Sequence, residues 1–160
     1  MADYEHVEIQ GLDELAETMA RIPAKFQKRI QRVALKAGAE VVEAEMVAIC
    51  PVAPKASHKY AKPGELRDAI GITTKVDKEL TGVALVGPKY SNKGDVSKAG
   101  KKETSQDPGV YVQWVEYGRA GMEPEPFMRP AYARTKDTAV EAYAKVVESL
   151  TDLMVGGGNE

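Results

Sequence analysis

The stretch Tyr111–Pro130, YVQWVEYGRAGMEPEPFMRP, decides how the rest of the chain is read. It carries the single Trp, two of the seven Tyr, one of the two Phe and three of the nine Pro. Tyr111, Trp114, Val115 and Tyr117 present a large apolar area, whereas Pro124, Pro126 and Pro130 each fix φ and remove a donor. The run therefore enters as regular structure and leaves as a rigid turn hinged at Gly118 and Gly121. Pro130 suits a first helical turn, where its missing N–H is not needed, and the residues from Ala131 onward are rich in helix formers. A C-terminal helix is thus docked against whatever Trp114 packs on. Glu116 and Arg129 are charges set inside this framework. If buried, they must find partners, because an unpaired buried charge is strongly destabilising, and each is the natural partner of the other. If exposed, they are a surface Glu and a helix-start Arg in water.

Upstream of this stretch, His6–Gln10 alternates, with Val7 and Ile9 on one face, and reads as a short strand stopped by Gly11. From Leu12 the apolar positions Leu15, Met19, Ile22, Phe26, Ile30, Val33, Ala37, Val41, Ala44 and Ala48 keep a three-and-four spacing that lays one stripe along a helix. Pro23 divides that stripe into a short helix and a long one, and Pro51 and Pro54 end it. Ala34, Ala37, Gly38 and Ala44 are small enough for a neighbouring element to approach closely. Ala53–Pro63 has no periodicity and reads as a loop, with His58 exposed. Gly64-Glu65-Leu66-Arg67 then leads into two β-rich runs, Ala69–Val76 and Leu80–Gly87, which form a hairpin across Asp77-Lys78-Glu79. Val83 and Leu85 face one way, Ala84 and Val86 the other.

Residues 89–109 form a long unpatterned segment rich in Lys, Ser, Gly and Asp, expected to be a flexible loop that orders against a partner. Val110–Tyr117 returns to β-formers and adds a strand or a short helical turn. The closing helix runs from about Phe127 or Pro130 to Met154, with Ala131, Thr135, Ala139, Tyr143, Val146, Leu150 and Leu153 on one face. Gly156-Gly157-Gly158 frays it, leaving 156–160 as a tail.

At 160 residues the chain fits one domain, read as 1–155. No apolar run approaches the roughly 20 residues of a membrane-spanning helix, and the acidic start lacks a secretory signal. One cysteine, Cys50, and two histidines, His6 and His58, cannot assemble an ordinary Cys/His metal site, so no metal or cofactor is expected. Cys50 ends an apolar face and reads as a buried small hydrophobe. No nucleophile stands in a motif with His and a carboxylate, the terminal glycines follow a helix rather than open one, and Glu123 and Glu125 flank Pro124 in a turn. Catalysis has no candidate residues. A net charge of −2 argues against a dedicated nucleic-acid binder, although Lys89, Lys93, Lys98, Lys101 and Lys102 concentrate in one segment as possible partner or DNA contacts.

Tyr111, Val115-Glu116-Tyr117-Gly118 and Pro126-Phe127-Met128-Arg129-Pro130-Ala131 together resemble the tail-component family of long-tailed bacteriophages, also described as head–tail joining or neck proteins. Gly11-Leu12 with Glu14-Leu15, and Pro51-Val52 followed by Gly64-Glu65-Leu66-Arg67 and Ile70, match in the same order. The resemblance spans about residues 7 to 150. Two departures are Arg119, where the family usually has Thr, and the stretched connection Ala53–Pro63.

The resemblance implies a structural virion protein of a phage or prophage that catalyses nothing. It implies action in head–tail joining or tail completion, as a ring-forming neck component assembled in the host bacterial cytoplasm. Its implied partners are copies of itself in a hexameric ring, other neck and tail proteins, and DNA only in transit. The alternative is a small nucleic-acid-binding module using Lys89–Lys102, and a third reading is an enzyme subunit with a loop-borne site. The expected fold is α+β: an antiparallel sheet of three to four strands under a long N-terminal helix and a C-terminal helix. Tyr111, Trp114, Glu116, Tyr117, Gly118, Met122, Pro126, Phe127, Arg129 and Pro130 are the interaction and structural residues. Trp114, Tyr117, Met122 and Phe127 supply more large apolar groups than one short strand and turn need, so some of them are expected to be shared between subunits, since aromatics and Met are enriched at interface cores.

Overall fold

The computed structural model describes residues 17, 20, 22–52, 63–90 and 107–156. Glu17 and Ala20 are helical, and Pro23 separates them from a long helix α1, Ala24–Ile49. Cys50 leaves the helix extended, at ψ 126°, as the residue before Pro51 must. A one-turn helix α2, Glu65–Asp68, opens on Gly64 in the left-handed region, at φ 84°. Strands β1, Ile70–Val76, and β2, Gly82–Pro88, follow. Helix α3 is Pro108–Tyr117 and helix α4 is Met128–Gly156.

The hairpin pairs antiparallel, with Ile70 opposite Pro88 and Val76 opposite Gly82. Asp77 builds the connection: its Oδ1 accepts from the N–H groups of Glu79 (2.9 Å) and Thr81 (2.8 Å). Leu80 closes it at φ 65°, a conformation that side chains seldom adopt.

Helix α4 runs antiparallel along α1. Val42, Met46 and Cys50 near the end of α1 meet Phe127 and Ala131 at the start of α4, while Ile30 and Ala34 meet Val147. Where the helices cross, a Cβ on Gly38 would lie 2.7 Å from the Ala139 carbonyl oxygen, so only glycine admits this approach. Glu45 and Arg134 bridge the pair from outside at 2.9 Å. The hairpin packs on α1, with Leu66, Ile70 and Val86 contributing to the same core as Phe127.

Three expectations are corrected. The buried stripe of α1 is Ile30, Ala34, Gly38, Val42 and Met46, whereas Phe26 and Val33 are exposed. A strict four-residue step through small side chains replaces the mixed spacing, because close contact with a second helix selects the row containing Gly38 and Ala34. On α4, Val147 and Thr151 are buried and Leu153 is exposed; the Thr151 hydroxyl is satisfied by donating to the Val147 carbonyl at 2.6 Å.

The described residues hold a two-stranded sheet, not the three to four strands expected. The run Val110–Tyr117 is helical because its ends are capped: Asp107 Oδ1 accepts from Gly109 N–H, Pro108 takes the first turn, and Gly118 leaves at φ 76°. That capping outweighs the β-preference of Val and Tyr. It also ends the expected 89–109 loop at Asp107. Gly156, expected in the 156–160 tail, still belongs to α4; the expected strand His6–Gln10, the expected loop residues 53–62 with His58, residues 91–106 of the expected 89–109 loop and residues 157–160 lie outside the described residues.

Candidate functional site

The first N–H groups of a helix have no intrahelical acceptor, and α4 begins on Phe127, whose side chain cannot cap. Glu116, eleven residues earlier on α3, does it instead. Its Oε2 accepts from the N–H groups of Phe127 (2.9 Å) and Met128 (3.0 Å), and its Oε1 from the N–H of Arg129 (3.0 Å). Pro130 has no N–H, and Ala131 N–H already donates to the Phe127 carbonyl at 3.0 Å. Every donor at the helix start is therefore satisfied. The Pro-Phe-Met-Arg-Pro-Ala sequence and the distant Glu116 form one device, in which a carboxylate also meets the positive end of the helix dipole.

Arg129 closes the clamp. Its Nε donates to Glu116 Oε1 at 2.9 Å and its Nη2 to the Glu116 carbonyl at 3.0 Å. The pair is asymmetric: the Glu116 side chain is 3% exposed and that of Arg129 60%. Burial works to raise the Glu116 pKa, but the backbone donors of Arg129, Met128 and Phe127 and the Arg129 side chain outweigh it and hold the carboxyl below its ordinary range.

The segment between the helices is pinned to α3. Glu125 N–H donates to the Val115 carbonyl at 2.8 Å, and Arg119 and Met122 exchange two backbone bonds around a turn with Gly121 at φ 78°. The Arg119 guanidinium lies 4.8 Å over the Trp114 ring, and that of Arg129 4.8 Å over the Tyr117 ring. Arg119 thus has a local task that Thr could not perform. Glu123 and Glu125 point into solvent.

Beside the clamp, an open groove of about 920 Å³ runs between β2 and α4. Leu35, Val42, Ala84, Val86, Val140 and Tyr143 line it, and Glu116, Tyr117 and Arg129 stand at its α3 end. Tyr117 (68% exposed), Met122, Tyr132, Val83 and Leu85 leave large apolar groups on the surface.

The structure thus brings Glu116, Phe127, Arg129 and Pro130 into one cap, with Tyr117 stacked beside it. Gly118 and Pro126 lie on the connection. Tyr111 and Trp114 are half-buried, and burial, with Glu65, Cys50 and Asp107 nearby, pushes the Tyr111 phenol up to about 12. Phe127 is fully buried within the chain, so it is a core residue and not one shared between subunits. Lys89 packs its stem over Gly71, while Lys93, Lys98, Lys101 and Lys102 lie outside the described residues. Sequence reasoning missed Tyr132, whose only signal was an aromatic off the apolar face of α4. Among the described residues no cluster of His, Cys, Asp or Glu could hold a metal ion, and no helix is long and apolar enough to cross a membrane.

Residues 13–118 match the HK97-gp10-like family model, described as "Bacteriophage HK97-gp10, putative tail-component". No curated protein and no solved structure matches. The matched region contains Glu116 and ends at Gly118, before the backbone groups that Glu116 caps.

Proposed function

Because the chain belongs to the HK97-gp10-like family of bacteriophage tail components, we propose that it acts at head–tail joining or tail completion as a ring-forming neck component. The family match carries this reading. Support comes from Tyr117, exposed where α3 meets the groove, from Met122, exposed on the rigid turn, and from Tyr132, exposed on α4. Exposed aromatics and Met on a fixed backbone are what a subunit contact requires, since little ordering entropy remains to be lost on association. Copies of this chain in a hexameric ring and the adjoining neck and tail proteins are the partners, and DNA only passes through.

The test replaces Tyr117 and Tyr132 together by Asp, both being exposed. The variant is expected to stay folded, to stay monomeric where the wild type assembles with neck partners, and to yield unjoined heads and tails. Particles joined normally by the variant overturn the proposed surface, and particles that form without the protein overturn the role. Tight duplex binding whose log affinity falls by about 0.9 per phosphate contact for each tenfold rise in salt, and that disappears when Lys89, Lys93, Lys98, Lys101 and Lys102 are replaced, favours the nucleic-acid reading instead.

A further inference from the structure

The two long helices carry opposite charges on opposite outer sides. Between Ala24 and Ala39, α1 holds five cations, Lys25, Lys28, Arg29, Arg32 and Lys36, and no acid. Lys36 is held by Glu40 at 3.4 Å, whereas Lys25, Lys28, Arg29 and Arg32 make no ion pair among the described residues. With Phe26, itself exposed, these four line a shallow hollow of about 330 Å³. At roughly 100° per residue, Lys25 and Arg29 stand about 140° round the helix from Ile30 and Ala34, which meet Val147 of α4. The cations therefore face away from α4. On α4 the sign is reversed. Asp137, Glu141, Glu148 and Asp152 are exposed, interrupted by Lys145, and none of these acids makes an ion pair among the described residues. Glu148 and Asp152 stand about 140° from Tyr143 and Val147, on the side away from α1, and Leu153 beyond them is exposed. Because Ile30 and Ala34 pack on Val147, the start of α1 and the end of α4 lie at the same end of the molecule.

We propose that these two sides meet between copies of the chain: the α1 side of one copy packs on the α4 side of the next, antiparallel as the helices pack within the chain. Leu153 then covers Phe26, Asp152 lies between Lys25 and Arg29, and Glu148, about 6 Å back along α4, falls opposite Arg32. Complementarity selects this occupant. A nucleic-acid duplex would take the cations alone, leaving exposed Phe26 and Val33 on α1 and the acids and Leu153 of α4 without a role. A second copy engages both sides in one contact, with an apolar centre and a charged rim. Exposed ion pairs contribute little each, so Phe26 and Leu153 supply the attraction while the charges fix partner and register. The contact is also heterologous. Each added copy leaves one side of either sign open, so growth continues until the rotation closes a ring. The inference thus rests on the ring-forming reading above and names the faces that join.

Arg32→Cys combined with Glu148→Cys in the full chain, oxidised alone and with neck partners present, tests the contact. The two positions lie on opposite sides of one chain, so they cannot bridge within it, and Cys50 is buried. A ladder of covalent multimers is expected on denaturing gels. A ladder that stops at the dimer shows a two-fold contact and overturns the inference, as does the absence of any disulfide. Charge reversal gives the second arm. Arg29→Glu with Arg32→Glu, and separately Glu148→Lys with Asp152→Lys, should each weaken self-association at least about tenfold at low salt, measured by sedimentation, and all four together should recover it. Assembly that persists in both reversed variants overturns this contact and leaves the ring reading standing. A wild type that forms no multimer, alone or with neck partners, overturns the ring reading and the contact together. Duplex binding that is lost with Arg29 and Arg32 while assembly is unchanged assigns the cations to DNA and overturns the inference.

Discussion

Glu116→Ala removes the acceptor of four hydrogen bonds at once. Three come from successive backbone N–H groups at the start of α4 and one from Arg129. Losing an N-cap costs about 0.5–2 kcal/mol, and losing the charge at the helix dipole adds up to about 2 kcal/mol where the group is partly buried. The Phe127 N–H is buried with Phe127 itself, so its desolvation adds roughly 1–3 kcal/mol. Allowing for overlap and for water entering at the exposed Arg129 side, the expected loss is about 3–5 kcal/mol. For a chain of this size that is on the order of 10 °C in Tm. Arg129→Ala removes one exposed partner and leaves the carboxylate with its three backbone donors, so it should cost only about 0.5–1 kcal/mol. Urea unfolding of wild type and both variants, followed by tryptophan fluorescence from Trp114, measures the two midpoints. Equal losses from the two substitutions, or a Glu116→Ala loss under about 0.5 kcal/mol, would refute the assignment of the carboxylate as the helix cap.

The same carboxylate sets an acid dependence. Its pKa is lower folded than unfolded, so its contribution is complete above the unfolded value of about 4.3 and is lost as pH falls through the folded value; the gap between wild type and Glu116→Gln should narrow accordingly in unfolding titrations from neutral pH down to acid. Gly38→Ala, normally favourable in a helix by about 1 kcal/mol, should destabilise by a net 1–2 kcal/mol or so, because the new methyl meets the Ala139 carbonyl and one helix must shift; thermal unfolding reads the sign. Burial pushes the Cys50 thiol up to about 11, against the opposing pull of Arg67, so the native protein should react with a thiol reagent at neutral pH far more slowly than the unfolded chain.

What the sequence determined by itself was the set of elements fixed by local chemistry. Pro23 and Pro51 bracket α1, Asp77 marks the hairpin connection, Pro130 lies in the first turn of α4, and each acts through its own φ, donor or side chain within a few residues. The pairing of Glu116 with Arg129 was legible for a similar reason, since two charges inside an aromatic and proline framework have few places to go. Their real arrangement was not legible. That Glu116 caps a helix eleven residues away, and that Arg129 is the lesser, solvated partner, depends on how the turn from Gly118 to Pro126 folds back on α3. Likewise Val110–Tyr117 carries β-forming side chains, and its helix rests on Asp107 and Gly118 at its ends. The row of α1 that is buried, Ala34 and Gly38 rather than Val33 and Ala37, was chosen by α4, because a neighbouring helix rewards close backbone approach as well as apolar area. Tertiary structure also put Phe127 in the core, since its side chain is buried by α1 and α3, elements ten or more residues earlier in the chain, which no local pattern records.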